Sequence, residues 1–252
     1  MIVSHSKKAI FIHFEKCGGT SVESAIQPYL DFKDIIIGST EYGEATQEFL
    51  FQRYGVSKVK RDMLWKHSTA RQIHKHVGKN DWDEYTKVSV VRDPVQLAKS
   101  LFSFSEKVLS YHAKIDYDYW NELVRKGNFP RTWPYDEGYI RSYITSHVYR
   151  TKFHGFVSNM IFNDYDCFSP FTERLMPSFF QKDFGTVIDL SQLNDRWKDI
   201  SKIFGAQGSE IGGLNASKSP SINVKDETVD IIKKRFAVDY EVLPQYTGVN
   251  WN

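Results

Sequence analysis

Six residues near the start of the chain, Lys16, Cys17, Gly18, Gly19, Thr20 and Ser21, have the types and order needed to hold an anion. They follow a short apolar run, Ala9–Phe14, and lead into Val22, Ala25 and Ile26, which repeat at helical spacing until Pro28. A strand delivering such a loop onto a helix N-terminus leaves backbone N–H groups unpaired, at the positive end of the helix dipole. Gly18 and Gly19 are expected to let the backbone approach an anion without a Cβ in the way. Lys16 adds a full charge, and Thr20 and Ser21 add hydroxyl donors and serve as expected N-caps. The common ATP loop places its lysine after the glycines; here Lys16 precedes them. The alternative is a simple strand-to-helix turn with an exposed lysine.

A second element, VSVVRDPVQLAKSLFSF, brings Arg92 to the end of an apolar run, with Ser100 two helical turns further on. A guanidinium grips a terminal phosphate through two parallel hydrogen bonds, and a serine adds another. The competing reading is a local Arg92–Asp93 ion pair beside a helix cap.

These groups need elements to position them. Beyond Ala9–Phe14, the pattern predicts strands at Asp34–Gly38, Met63–Trp65, Tyr85–Val91 and Thr186–Leu190. Helices are predicted over Glu44–Tyr54, from a Ser68 or Thr69 cap through Val77 to Gly78, from Pro94 onward, after Leu190, and over Glu227–Tyr240. Residues 105–183 read as helical and loop-rich, and Gly205–Val224 as a polar loop. Strands alternating with helices imply an α/β fold: a central parallel sheet flanked by helices, binding ligands at the carboxyl ends of its strands. With no repeat and no low-complexity linker, one domain over residues 1–252 is expected.

Composition narrows the class. The chain of 252 residues has 33 Lys and Arg against 31 Asp and Glu, a net charge of +2, so no global field points to nucleic acid. Two separated cysteines, Cys17 and Cys167, make neither a disulfide framework nor a zinc site. No segment reads as a membrane span or signal peptide, so a cytoplasmic location is expected. Aromatics concentrate between Tyr111 and Phe180, including Trp120, Trp133, Tyr135, Tyr139, Tyr143 and Tyr149, with His112, His147 and His154. Such rings stack on sugars or flat cations, or pack a helical region onto the sheet.

Together, K-x-G-G-T-S after a first strand and R-D-P-x-x-x-x-x-S some seventy residues later resemble the sulfotransferases that use PAPS (3′-phosphoadenosine 5′-phosphosulfate). The likeness is closest to the branch with carbohydrate sulfotransferases, whose first loop reads like PKTGGTS; here Glu15 replaces the proline and Cys17 the threonine. The resemblance implies a P-loop nucleotide-hydrolase-like fold. It implies that Lys16, Cys17, Gly18, Gly19, Thr20 and Ser21 surround the 5′-phosphosulfate, and that Arg92 and Ser100 take the 3′-phosphate. Residues of about 105–183 would form a helical, aromatic-rich acceptor region for a small-molecule or carbohydrate acceptor. PAP would be the released product, and no metal is expected.

Lys16 would neutralise charge on the departing oxygen, and a base would take the acceptor proton. His67 is the expected base, because KHSTARQI resembles the family's segment after an early strand. His13 and Glu15, which alternation puts on one face, are rival bases. The late LNASKSP resembles the family's closing loop, which makes Lys218 a donor contact and brings in Asn215 and Ser217. The helix N-terminus and Lys16 would lower the Cys17 pKa, but the family loop needs no thiol there, so a small loop residue is the preferred reading. The rivals in function are an ATP-dependent kinase and an inactive nucleotide- or sugar-binding module.

Overall fold

Why the apolar runs become strands is visible in their burial: Ala9–Ile12 and Val88–Val91 are buried without a break, as expected of strands covered on both faces. The computed structural model describes residues 1–112, 117–127, 137–175, 185–212 and 222–251. In chain order the first elements are β1 (Ile2–Ser4), β2 (Ala9–Ile12), α1 (Gly19–Ile26), β3 (Ile35–Ile36), α2 (Glu41–Tyr54), α3 (Val56–Asp62), α4 (Ala70–Val77), α5 (Lys79–Glu84) and β4 (Thr86–Val91). Then come α6 (Pro94–His112), α7 (Tyr117–Lys126), α8 (Gly138–Val148), α9 (Lys152–Phe162), α10 (Phe171–Leu175) and β5 (Thr186–Asp189). The last are α11 (Trp197–Ile203), α12 (Asp226–Arg235), α13 (Ala237–Val242) and α14 (Pro244–Thr247).

The chain forms two compact units. The first comprises Met1–Arg92, Phe171–Ala216 and Glu241–Asn252, and holds a five-stranded sheet in the order β3-β1-β2-β4-β5. β2, β4 and β5 are parallel neighbours, in register from Ala9 with Thr86 to Ile12 with Ser89. β1 runs antiparallel to both β2 and β3. The sheet is therefore mixed rather than purely parallel. Three-residue β1 turns directly into β2, and a connection that short permits only an antiparallel pair.

The second unit comprises Asp93–Pro170 and Ser217–Tyr240. Its described elements are helical, built around α6, α8, α9 and α12. Pro94 opens α6, where its missing N–H costs nothing, and Asp93 Oδ1 accepts from Gln96 N at 2.8 Å. Glu227–Tyr240 is not one helix. It breaks at Phe236, which is fully buried against Phe168 with ring centroids 4.9 Å apart. Among the described residues no helix is long and apolar enough to cross a membrane.

Candidate functional site

The loop from β2 to α1 is shaped by two left-handed residues, Lys16 at φ 59° and Gly18 at φ 76°. Left-handed residues in a tight loop help turn N–H groups toward one concave side, a geometry that suits anions. A left-handed lysine costs about 1–2 kcal/mol, so the surrounding fold holds it there. α1 starts at Gly19 with Gly18 as its N-cap, and no side chain caps it. The expectation that Thr20 or Ser21 caps this helix fails because the left-handed Gly18 already closes the turn. Ser21 N and Val22 N both donate to its carbonyl, at 3.0 and 3.3 Å. Thr20 instead donates to Ser39 Oγ at 2.9 Å, and Ser21 is buried.

Gly19 has a reason to be glycine beyond ligand approach. A Cβ there would lie 2.1 Å from the His13 ring. The imidazole occupies the space that a side chain would need. Cys17 is buried, and its thiol donates to the Glu15 carbonyl at 3.3 Å. Burial pushes that thiol well above its usual pKa, against the lowering that a helix N-terminus would bring.

The parallel register brings the tips of β2 and β4 out at the same end, where Arg92 Nη1 donates to the Lys16 carbonyl at 3.3 Å. Lys16 and Arg92 are both half-buried. Ser100 is buried on α6 in the second unit. Asn215, Ser217, Lys218, Trp133 and Tyr135 lie outside the described residues, as do the side chains of His112 and Trp120.

His67 is positioned by a turn. Met63–Trp65, expected as a strand, is not one: Ser68 Oγ accepts from Trp65 N at 2.9 Å, and Ser68 N donates to the Trp65 carbonyl at 3.0 Å. A serine that offers such local bonds competes successfully with a three-residue strand. α4 then starts with a full capping box between Thr69 and Gln72 and ends at Gly78.

His67 Nδ1 donates to the His13 carbonyl at 3.0 Å. A carbonyl only accepts, so the neutral imidazole carries its proton on Nδ1 and a lone pair on Nε2. The ring meets His13 edge-on at 4.8 Å and Trp65 at 5.4 Å between centroids. Desolvation holds its pKa well below 6.5, partly opposed by the Glu15 carboxylate, so His67 is neutral at neutral pH. His13 is likewise lowered by burial, and its Nδ1 pairs with Glu23 Oε1 at 2.7 Å. Glu23 is fully buried and also accepts from the Met1 amine. Burial raises its carboxyl, but His13 and that amine outweigh burial and leave it ionised.

Glu15 is a poor base. Burial pushes its carboxyl up, but Arg174, whose Nη1 lies 2.7 Å away, and then His67 outweigh this and hold it at about 2. Arg174 is buried too, and its guanidinium stacks 4.7 Å over the Phe14 ring. Sequence reasoning missed Arg174 and Glu23. For Glu23 there was a signal, a carboxylate one residue after Val22 and three before Ile26, on the side of the helix that is buried. For Arg174 there was none, since 159 residues separate it from Glu15.

At the tip of β5, both oxygens of Asp189 are engaged: Oδ1 accepts from Ser191 N at 2.8 Å, and Oδ2 from Trp251 Nε1 at 2.7 Å. Among the described residues no cluster of three His, Cys, Asp or Glu forms a metal site. Fold and site thus define an α/β protein with a basic, glycine-containing strand tip beside a pair of neutral histidines. No protein-family model, curated protein or solved structure matches the chain.

Proposed function

We propose that the tips of β2 and β4 bind PAPS and that the protein transfers its sulfuryl group to a hydroxyl or amine of a small-molecule or carbohydrate acceptor, releasing PAP. The observation that carries this reading is the 3.3 Å contact of Arg92 Nη1 with the Lys16 carbonyl, which joins the two basic motifs at one end of the sheet. A P-loop nucleotide-hydrolase-like arrangement of the sheet belongs to the same proposal.

The residues present suit the donor. The left-handed Lys16 and Gly18, together with the first turn of α1, offer backbone N–H groups to the 5′ end. Arg92 spends one donor on the Lys16 carbonyl and keeps others for the 3′-phosphate.

PAPS supplies an electrophilic sulfur and a PAP leaving group. The acceptor oxygen or nitrogen forms a bond to sulfur while the bond from sulfur to the bridging phosphate oxygen breaks. The Lys16 ammonium neutralises charge developing on that oxygen. The acceptor proton passes to Nε2 of His67, whose tautomer is fixed by the His13 carbonyl. An anionic donor favours the imidazolium, so the base strengthens when the donor is bound. Glu15 drops out as a rival because Arg174 holds it ionised at about 2. His13 is a weaker rival because its Nδ1 is committed to Glu23 and its ring to the face of Gly19.

An ATP-dependent kinase would need a carboxylate for Mg²⁺ at a strand end; both oxygens of Asp189 already accept hydrogen bonds there, and Asp93, after β4, accepts from Gln96 N and from the Tyr240 hydroxyl. The proposal is tested by titrating PAP into the protein and into Arg92→Ala. One lost charge-assisted phosphate contact weakens binding tenfold or more. Unchanged PAP affinity in Arg92→Ala would remove the second motif from the site.

A further inference from the structure

The second unit carries a pocket of about 670 Å³ that is open to solvent. That volume lies within the range of small-molecule sites. Its walls are aromatic: Phe102 meets Tyr143 at 4.9 Å and Phe153 at 5.5 Å between ring centroids, and Ile222 adds an aliphatic patch. His147 stacks on Tyr143 with an interplanar angle of 17°. The Tyr143 hydroxyl is held by Glu106, and burial followed by that carboxylate pushes its pKa up to about 12, so the wall carries no phenolate charge.

The other lining groups are of one sign. Arg150 and Lys152 both line the cavity, both are solvent-exposed, and among the described residues neither has a carboxylate partner. None of the described lining residues is acidic. Both cations sit in the left-handed region, at φ 55° and 53°. The turn between α8 and α9 is pinned in this shape by Thr151 N donating to the Ser146 carbonyl at 2.9 Å. Two left-handed basic residues within three positions carry a backbone cost. Neither is a glycine or asparagine, the residues that adopt this conformation most readily.

We infer that this pocket is a binding site for a ring-bearing carboxylate: a flat apolar body laid against the face formed by Phe102, Tyr143 and Phe153, with its anionic end on Arg150 and Lys152. The aromatic walls supply the area for the ring. The Arg150 guanidinium supplies a planar fork that matches a carboxylate, and Lys152 a point charge. A sugar carboxylate suits the site less well, because its hydroxyls would be desolvated against phenyl rings without partners. Binding here goes beyond the PAPS proposal and does not depend on it.

The test is calorimetric titration with three probes: 2-naphthoate, its uncharged amide 2-naphthamide, and glucuronate. Naphthoate is expected to bind saturably, with naphthamide and glucuronate each at least tenfold weaker. The double variant Arg150→Gln/Lys152→Gln, which leaves the aromatic walls intact, is expected to lose tenfold or more for naphthoate and to keep naphthamide within twofold. Equal affinity for naphthoate and naphthamide, undiminished naphthoate binding in the double variant, or no binding of naphthoate would each overturn the inference. PAP titrated into the same samples separates the two proposals. Retained PAP binding with no naphthoate binding removes only this one, and the reverse removes only the donor site.

Discussion

The two units use charge in opposite ways. In the first, Glu15 and Arg174 are both buried and meet at 2.7 Å, while Glu23 is buried and shared by His13 and the Met1 amine. In the second, Arg150 and Lys152 stand exposed at a cavity, and no carboxylate among the described residues pairs with either. A buried charge must find its partner inside the fold, because leaving it unpaired costs several kcal/mol. An exposed, uncompensated cation costs the fold little and remains available to a ligand. The same residue types therefore read as architecture beneath the strand tips and as recognition at the cavity.

The comparison breaks most visibly at Arg174. Arg174→Met leaves the Glu15 carboxylate buried alone and is expected to cost about 3–5 kcal/mol in urea unfolding. The acid limb should change as well. In the parent, Glu15 titrates at about 2 when folded against 4.5 for the ordinary group. Its contribution, about 3 kcal/mol, is complete above pH 4.5 and lost as the pH falls toward 2. Without Arg174, only His67 and a backbone hydrogen bond oppose burial, so the Glu15 carboxyl pKa is expected to rise from about 2 and its share of the stability lost on acidification to shrink. A parental acid limb in Arg174→Met would show that the pair is not what holds Glu15.

Gly19→Ala should cost less. An alanine inside a helix ordinarily stabilises it, but here the new Cβ meets the His13 ring at 2.1 Å. The expected outcome is a loss of about 1–3 kcal/mol by overpacking, read from the urea midpoint. A stabilised Gly19→Ala would mean that the imidazole moves aside freely. The smallest effect is expected from Arg150→Gln/Lys152→Gln. Its stability should stay within about 0.5 kcal/mol of the parent, because among the described residues neither cation has a carboxylate partner. A large loss there would erase the distinction between the two units.

What the sequence made legible was local. β4, the α4 capping box of Thr69 with Gln72, the Gly78 stop and the Pro94 start of α6 are each written in a few adjacent residues. β1 was not legible, because three residues cannot display alternation, and with it went the antiparallel pairing that makes the sheet mixed. The break at Phe236 depends on the partner ring Phe168, far away in the chain. In the candidate site, motif spacing singled out Lys16, Gly18, Gly19 and Arg92, and the likeness of KHSTARQI to a family segment singled out His67. Three features were not legible: Arg174 under Glu15, the imidazole filling the face of Gly19, and the turn that replaces a strand ahead of His67. Each depends on a contact or a local bond that no short motif records.

The donor assignment is tested most directly by a thermal-shift comparison of PAP, ATP, and ATP with Mg²⁺ on the intact protein. The account predicts stabilisation by PAP of about 2.7 kcal/mol at a concentration 100-fold above its Kd, with little from ATP under either condition. Stabilisation by ATP only when Mg²⁺ is present, with none from PAP, would contradict it.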